Sequence, residues 1–214
     1  MEPNSLVYSI IDDKELCDSV YDTMVKHMRF NDSSSVVDTP FMNNNGKKTL
    51  EEIYEENDIY TLKRNELDFL NGQDRHSSRP DKYRFPLVFK IIYLILNNSH
   101  TEMTFINENE KPNFTLFSLS KIMKDYDVYN NIVLVGMMYH GMGYYVGLFM
   151  VKKTGEFFYA LDGGSNGYDR EYNFNYFKKF EPSEHDNLEL RRFPNIINYL
   201  KKMDNIFELR FFRE

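Results

Sequence analysis

The sequence predicts an α+β domain, an antiparallel β-meander in its second half with helices packed on one face of the sheet. Three observations predict it. Amphipathic helical spacing dominates the first 72 residues, three Val-, Tyr- and Phe-rich runs follow between 131 and 162, and a last helical stripe closes the chain. Eight of the ten glycines lie between Gly136 and Gly167, where the turns of such a meander belong.

Residues 12–28 place Leu16, Val20, Met24 and Met28 at four-residue spacing, behind Asp12 or Asp13 as cap and with acids early, so they predict an amphipathic helix. Residues 31–48 are turn-forming and irregular. Thr49 and Glu52 form a capping box that opens a second helix, which continues through 60–72 and ends on Asn71-Gly72. Residues 73–82 are polar and contain a proline, as a loop does. The most apolar stretch, FPLVFKIIYLIL at 85–96, argues by its β-branched and aromatic content for a buried strand, while its length leaves a buried helix open. A short strand TEMTFIN, a turn at Asn109–Pro112 and a helix around LSKIMKDY come next.

The meander consists of NIVLVGMMY, GYYVGLFMVK and EFFYALD, broken at His140–Gly143 and at Lys153–Gly155. In LRRFPNIINYLKKM, Phe193, Ile196, Ile197, Leu200 and Met203 form a helical stripe, and IFELRFF reads as a terminal strand or docked tail. The organisation expected is an N-terminal helix with an irregular segment (1–48) followed by the α+β domain (49–214), together one globular unit. No internal repeat is present.

Composition narrows the function. The chain of 214 residues has a net charge of −7, all of it in residues 1–80; residues 81–214 balance. An acidic first third disfavours nucleic acid as a partner. Cys17 is the single cysteine, so no intramolecular disulfide or thiolate zinc cluster can form. The N-terminus lacks the pattern of a signal peptide and no apolar run reaches membrane-spanning length, so a soluble cytoplasmic protein is expected, with no membrane partner. The chain holds 22 asparagines and one alanine, Ala160, which reflects an AT-rich coding sequence rather than a folding need. The sequons at Asn31, Asn97 and Asn113 are discounted on the same ground.

Motifs for chemistry are incomplete. Gly163–Gly167 fits Gly-x-Ser-x-Gly around Ser165, but it follows a meander strand rather than a parallel one, and His185 is the only histidine downstream. Asp162–Gly167 begins like a calcium loop, yet its third position is Gly164 and its twelfth Asn173. A hydrolase using Ser165, or a metal-assisted reaction at Asp162, Asp169 and Glu171, is the enzymatic alternative. No P-loop or dinucleotide fingerprint is present, and the five histidines never pair at ligand spacing, so no cofactor or resident metal is expected. The strand rhythm of 143–162 resembles that of ubiquitin-like-protein proteases, but no cysteine follows Cys17 and Tyr144 stands where a histidine would be required. What the glycine-rich turns do carry is aromatic and polar recognition groups: Tyr139, His140, Tyr144 and Tyr145 at one, Asp162, Asn166, Tyr168, Asp169 and Tyr172 at the other. Such groups suit protein recognition, with large contact area and polar tips; tyrosines simply packed on the sheet are the competing explanation.

The meander and its flanks resemble the SUKH superfamily, the fold of a fungal cell-wall-synthesis regulator and of many bacterial toxin-immunity proteins. The residues that carry the likeness are IVLVG (132–136), the turn HGMG, the pair YYVGLFMVKKTGEFFYALD, the closing RFPNIINYLKK and the upstream ELDFLNG (66–72). It spans roughly residues 50–203; the insertion at 73–128 and the elaborate turn DGGSNGYDRE depart from the pattern. The resemblance implies a non-catalytic protein-binding domain with no shared catalytic residues, in a superfamily that also occurs in large DNA viruses. With the alanine-poor composition, it points to a viral protein acting on a host or virion protein, in the host cytoplasm or the particle; a structural virion component is a further alternative.

Overall fold

A computed structural model describes residues 5–32, 48–56, 61–72, 85–106, 112–141, 144–161 and 191–193. The chain opens with α1 (Ser5–Ile10) and α2 (Lys14–His27), continues directly into β1 (Met28–Asp32), then forms α3 (Leu50–Glu56), α4 (Arg64–Leu70) and α5 (Leu87–Leu96). Strands β2 (Thr101–Ile106) and β3 (Pro112–Leu116) precede α6 (Leu119–Lys124), and β4 (Ile132–Gly141), β5 (Tyr144–Val151), β6 (Phe157–Leu161) and β7 (Arg191–Phe193) follow. All seven strands form one antiparallel sheet in sequence order. The meander therefore reaches far upstream of the three runs that the sequence pattern marks.

The helix termini follow local chemistry. Asp13 caps α2 by accepting the Leu16 N–H at 3.0 Å. The Thr49 hydroxyl accepts from Glu52 N–H while the Glu52 carboxylate accepts from Thr49 N–H at 2.7 Å, the capping box that opens α3. The helix begun at Thr49 is described as two helices, α3 and α4, rather than one continuous element. The second has its own start, where the Glu66 carboxylate accepts Lys63 N–H at 2.6 Å.

Residues 85–96 correct the strand reading: Leu87–Leu96 is a helix. Phe85, Phe89 and Tyr93 recur every fourth residue; Phe85 stacks on Phe89 with centroids 5.1 Å apart and Phe89 meets Tyr93 at a tilt at 4.9 Å, a succession that helical spacing makes. Pro86 sits at the N-cap, and Asn97 ends the helix with φ 49°, the left-handed conformation asparagine tolerates. A second correction concerns Arg191–Phe193, expected at the start of the closing helix; they form β7, paired with β6. The rest of that stripe lies outside the described residues.

Helix α5 is the centre of the core. Its Phe89 ring lies 6.0 Å from that of Phe157 on β6, Tyr93 donates its hydroxyl to the Phe117 carbonyl, and Tyr54 of α3 donates to the Ile95 carbonyl at 2.7 Å. On the same side of the sheet His27, the last residue of α2, stacks on Phe105 of β2 at 5.7 Å. The register places Phe157 with Met150 and Phe158 with Phe149 on opposite faces, and all four are buried. On the second face Phe149 and Phe158 stack at 5.4 Å, with Tyr129 edge-on to Phe149. A sheet buried on both faces explains why the central strands read as continuous apolar runs.

Candidate functional site

The β4–β5 hairpin contains two regions with different surroundings. Its base, Ile132–Met137 against Val146–Val151, is buried throughout its described side chains. Here β3 flanks β4 and β6 flanks β5. Gly136 is indispensable to that packing: a Cβ on it would fall on the Phe114 ring and 2.5 Å from the Thr115 carbonyl oxygen. Val135 is the extra residue of a β-bulge between Leu134 and Gly136, and its carbonyl accepts from Phe117 N–H at 2.8 Å.

Beyond this base the hairpin continues to a tip at Gly141 and Tyr144. Among the described residues β3 pairs with β4 only as far as Thr115↔Met137, and β6 pairs with β5 only as far as Leu161↔Val146. Met138–Gly141 and Tyr144–Tyr145 thus form the two-stranded tip of the hairpin, a ribbon beyond the last described pairs with β3 and β6. Tyr139 lies opposite Tyr145 and Gly141 opposite Tyr144, with His140 as the extra residue of a second bulge. Bulges near sheet rims increase twist and re-aim the strand.

Three of the residues singled out from the sequence, Tyr139, His140 and Tyr144, are brought together on this ribbon. Asp162, Asn166, Tyr168 and Asp169 lie outside the described residues, as do Ser165 and Glu171. Leu161, the residue before Asp162, sits at the ribbon end of the sheet, opposite Val146. Met138 also belongs to the ribbon and was not singled out; the strand–glycine–strand pattern marks the turn but not where the flanking strands stop.

A second polar region occupies the opposite end of the sheet, where α5 ends and β2 begins. Ser118 caps α6 by accepting Lys121 N–H at 3.4 Å, Ser120 N–H donates to the Ser99 carbonyl at 2.8 Å, and Thr104 and Thr115 hydroxyls meet at 3.3 Å on the face away from α5. Burial raises the Glu102 carboxyl above its ordinary value, with Lys121 pulling it back, and burial first, then Glu102, holds the Tyr93 phenol well above its own. Lys121 is in turn paired to Asp125 at 3.0 Å and lies over the Phe117 ring. These bonds join α5, α6 and the sheet, so the region reads as a polar seam of the core. The Cys17 thiol is fully buried, and burial raises its pKa, away from the reactive thiolate.

Among the described residues no group of three or more His, Cys, Asp or Glu side chains is placed to hold a metal ion, and no helix is long and apolar enough to cross a membrane. No family model, curated protein or solved structure matches the chain.

Proposed function

We propose that this chain is a non-catalytic protein-binding module that engages another protein through the β4–β5 ribbon. The observation that carries the reading is the register: one hairpin brings Tyr139, His140, Tyr144 and Tyr145 together at its tip, past the last described pairs of β4 with β3 and of β5 with β6. Binding groups are commonly carried on the turns and strand ends that a rigid sheet positions. Tyrosine suits such a site because it presents a large, stiff apolar ring with a polar end. The perturbed buried groups, Tyr93 and Glu102, lie at the other end of the sheet within the core seam and supply no second candidate.

The SUKH-like pattern of residues 50–203, and the antiparallel strand order, support the same reading, with a host or virion protein in the cytoplasm as the proposed partner. A photo-crosslinking residue at Tyr144 tests it, with the same residue at exposed Lys63 on the helical side as control. A partner crosslinked in native cells from position 144 and not from 63 supports the ribbon. Equal crosslinking from both, or crosslinking from 63 alone, overturns it.

A further inference from the structure

The connection between α6 and β4, residues 125–131, is fastened by side chains more than by its own backbone. Tyr126 N–H reaches the Met123 carbonyl at 3.4 Å, Val128 N–H donates to the Asp125 carbonyl at 3.1 Å, and the Asn131 carbonyl accepts Lys152 N–H at 2.9 Å. Two rings do the rest. Tyr126 stands edge-on to Phe69 of α4 at 5.4 Å, and the buried Tyr129 stands edge-on to Phe149 of β5 at 5.7 Å. Asp127, Val128 and Asn130 are exposed.

One side chain touches both anchoring residues. Lys152, directly after β5, donates its ammonium to the Tyr129 carbonyl at 2.8 Å and holds it 4.1 Å from the centroid of the Tyr126 ring. That approach is closer than the 4.9 Å of Lys121 over Phe117. Both Lys152 contacts draw on the positive charge: the hydrogen bond is charge-assisted, and the ring attracts a cation through its electron-rich face. Lys121 provides a contrast. Its partner Asp125, at 3.0 Å, lies one turn along on the same stretch of chain, so that pair ties the connection only to α6. Lys152 ties it to the sheet.

We infer that residues 125–131 form a strap that opens and closes as a unit while the sheet stays folded, with the Lys152 ammonium as its latch. Opening takes Tyr126 off Phe69 and Tyr129 off Phe149, and it breaks no bond of the β4–β5 ladder. The helical layer and the base of the hairpin are thereby joined through an element that one charge holds shut. This device is independent of what the hairpin tip binds.

Native-state amide exchange of the full chain, at a series of urea concentrations below the unfolding midpoint, tests it. The Val128 and Lys152 amides, bonded to Asp125 and Asn131, should open with one common rate that urea hardly changes. Phe117 N–H, bonded to the Val135 carbonyl within the core, should show the full urea dependence of global unfolding. Lys152→Met keeps the length of the stem and removes the charge. It should speed the amides of residues 128 and 152 by about tenfold or more, with their urea dependence still small, whereas Lys152→Arg should stay within about threefold of the parent. Strap amides that share the urea dependence of Phe117 overturn the inference, because the connection then opens only when the sheet unfolds. Rates unchanged in Lys152→Met, or raised equally in Lys152→Arg, overturn the latch. Should Lys152→Met not fold, Lys152→Gln, equally uncharged, takes its place with the same expected and overturning results, and the urea series on the parent chain decides whether the strap opens by itself.

Discussion

The base and the tip of the β4–β5 hairpin are both rich in β-forming residues and differ in their described pairing. At the base, Val133, Leu134, Val135, Phe149 and Met150 are buried between α5 on one face and Tyr129 on the other, with β3 and β6 alongside. At the tip, Met138–Gly141 and Tyr144–Tyr145 pair with each other, beyond the last described pairs with β3 and β6. The difference teaches that β-rich composition alone does not say whether a strand serves the core or a partner. Non-local pairing and burial must be known as well.

Substitutions at the base ought to cost stability and those at the tip ought not to. The largest effect is expected from Phe89→Ala, which empties the aromatic ladder under the sheet; about 3–5 kcal/mol should be lost, read from urea denaturation. Gly136→Ala comes next, because its Cβ meets the Phe114 ring and the Thr115 carbonyl; overpacking of this kind costs about 1–3 kcal/mol in the same measurement. A cost near zero there would mean that β3 and β4 are not held as closely as described.

Glu102 sharpens the contrast through pH. Burial raises its folded-state pKa above the unfolded value, so the folded chain holds the proton more tightly. Its favourable contribution is fully present below the unfolded carboxylate value and is lost as pH rises through the folded one. Glu102→Gln should therefore gain stability relative to the parent chain as pH rises from about 4 to 7, seen as diverging melting temperatures; parallel curves would place Glu102 in ordinary solvent. The smallest effect is expected at the tip: under the docking reading, Tyr139→Ala with Tyr144→Ala should stay within about 0.5 kcal/mol of the parent. A loss comparable with Gly136→Ala would make the ribbon part of the core.

Much of this fold is written in periodicity. The four-residue spacing of Val20 and Met24 with the Asp13 cap specifies α2, and the glycine breaks around 141 and 155 delimit β4, β5 and β6. Gly155 indeed takes φ 74°. Residues 87–96 misled because a run apolar on every side carries no period; the Phe85–Phe89–Tyr93 spacing and the Asn97 cap were the available signals. Strand β1 was hidden because Met28 continues the apolar face of α2 while belonging to the sheet, and β3 is five residues with a proline at its start. The candidate residues Tyr139, His140 and Tyr144 were legible from their place beside turn glycines. Their register on the hairpin was not, since it depends on bulges at Val135 and His140 and on non-local pairing.

Residue-resolved hydrogen exchange of the isolated chain compares the two halves of β4 most directly. Met137 and Tyr139 direct their amides to the same side, one opposite Thr115 and the other beyond the last β3 pair. Met137 should exchange only through large-scale opening, and Tyr139 faster by about a hundredfold or more, as expected of an amide at the tip beyond the last described β3 pair. Equal protection of the two amides would mean that the edge is already covered, and the ribbon would lose its role as the docking element.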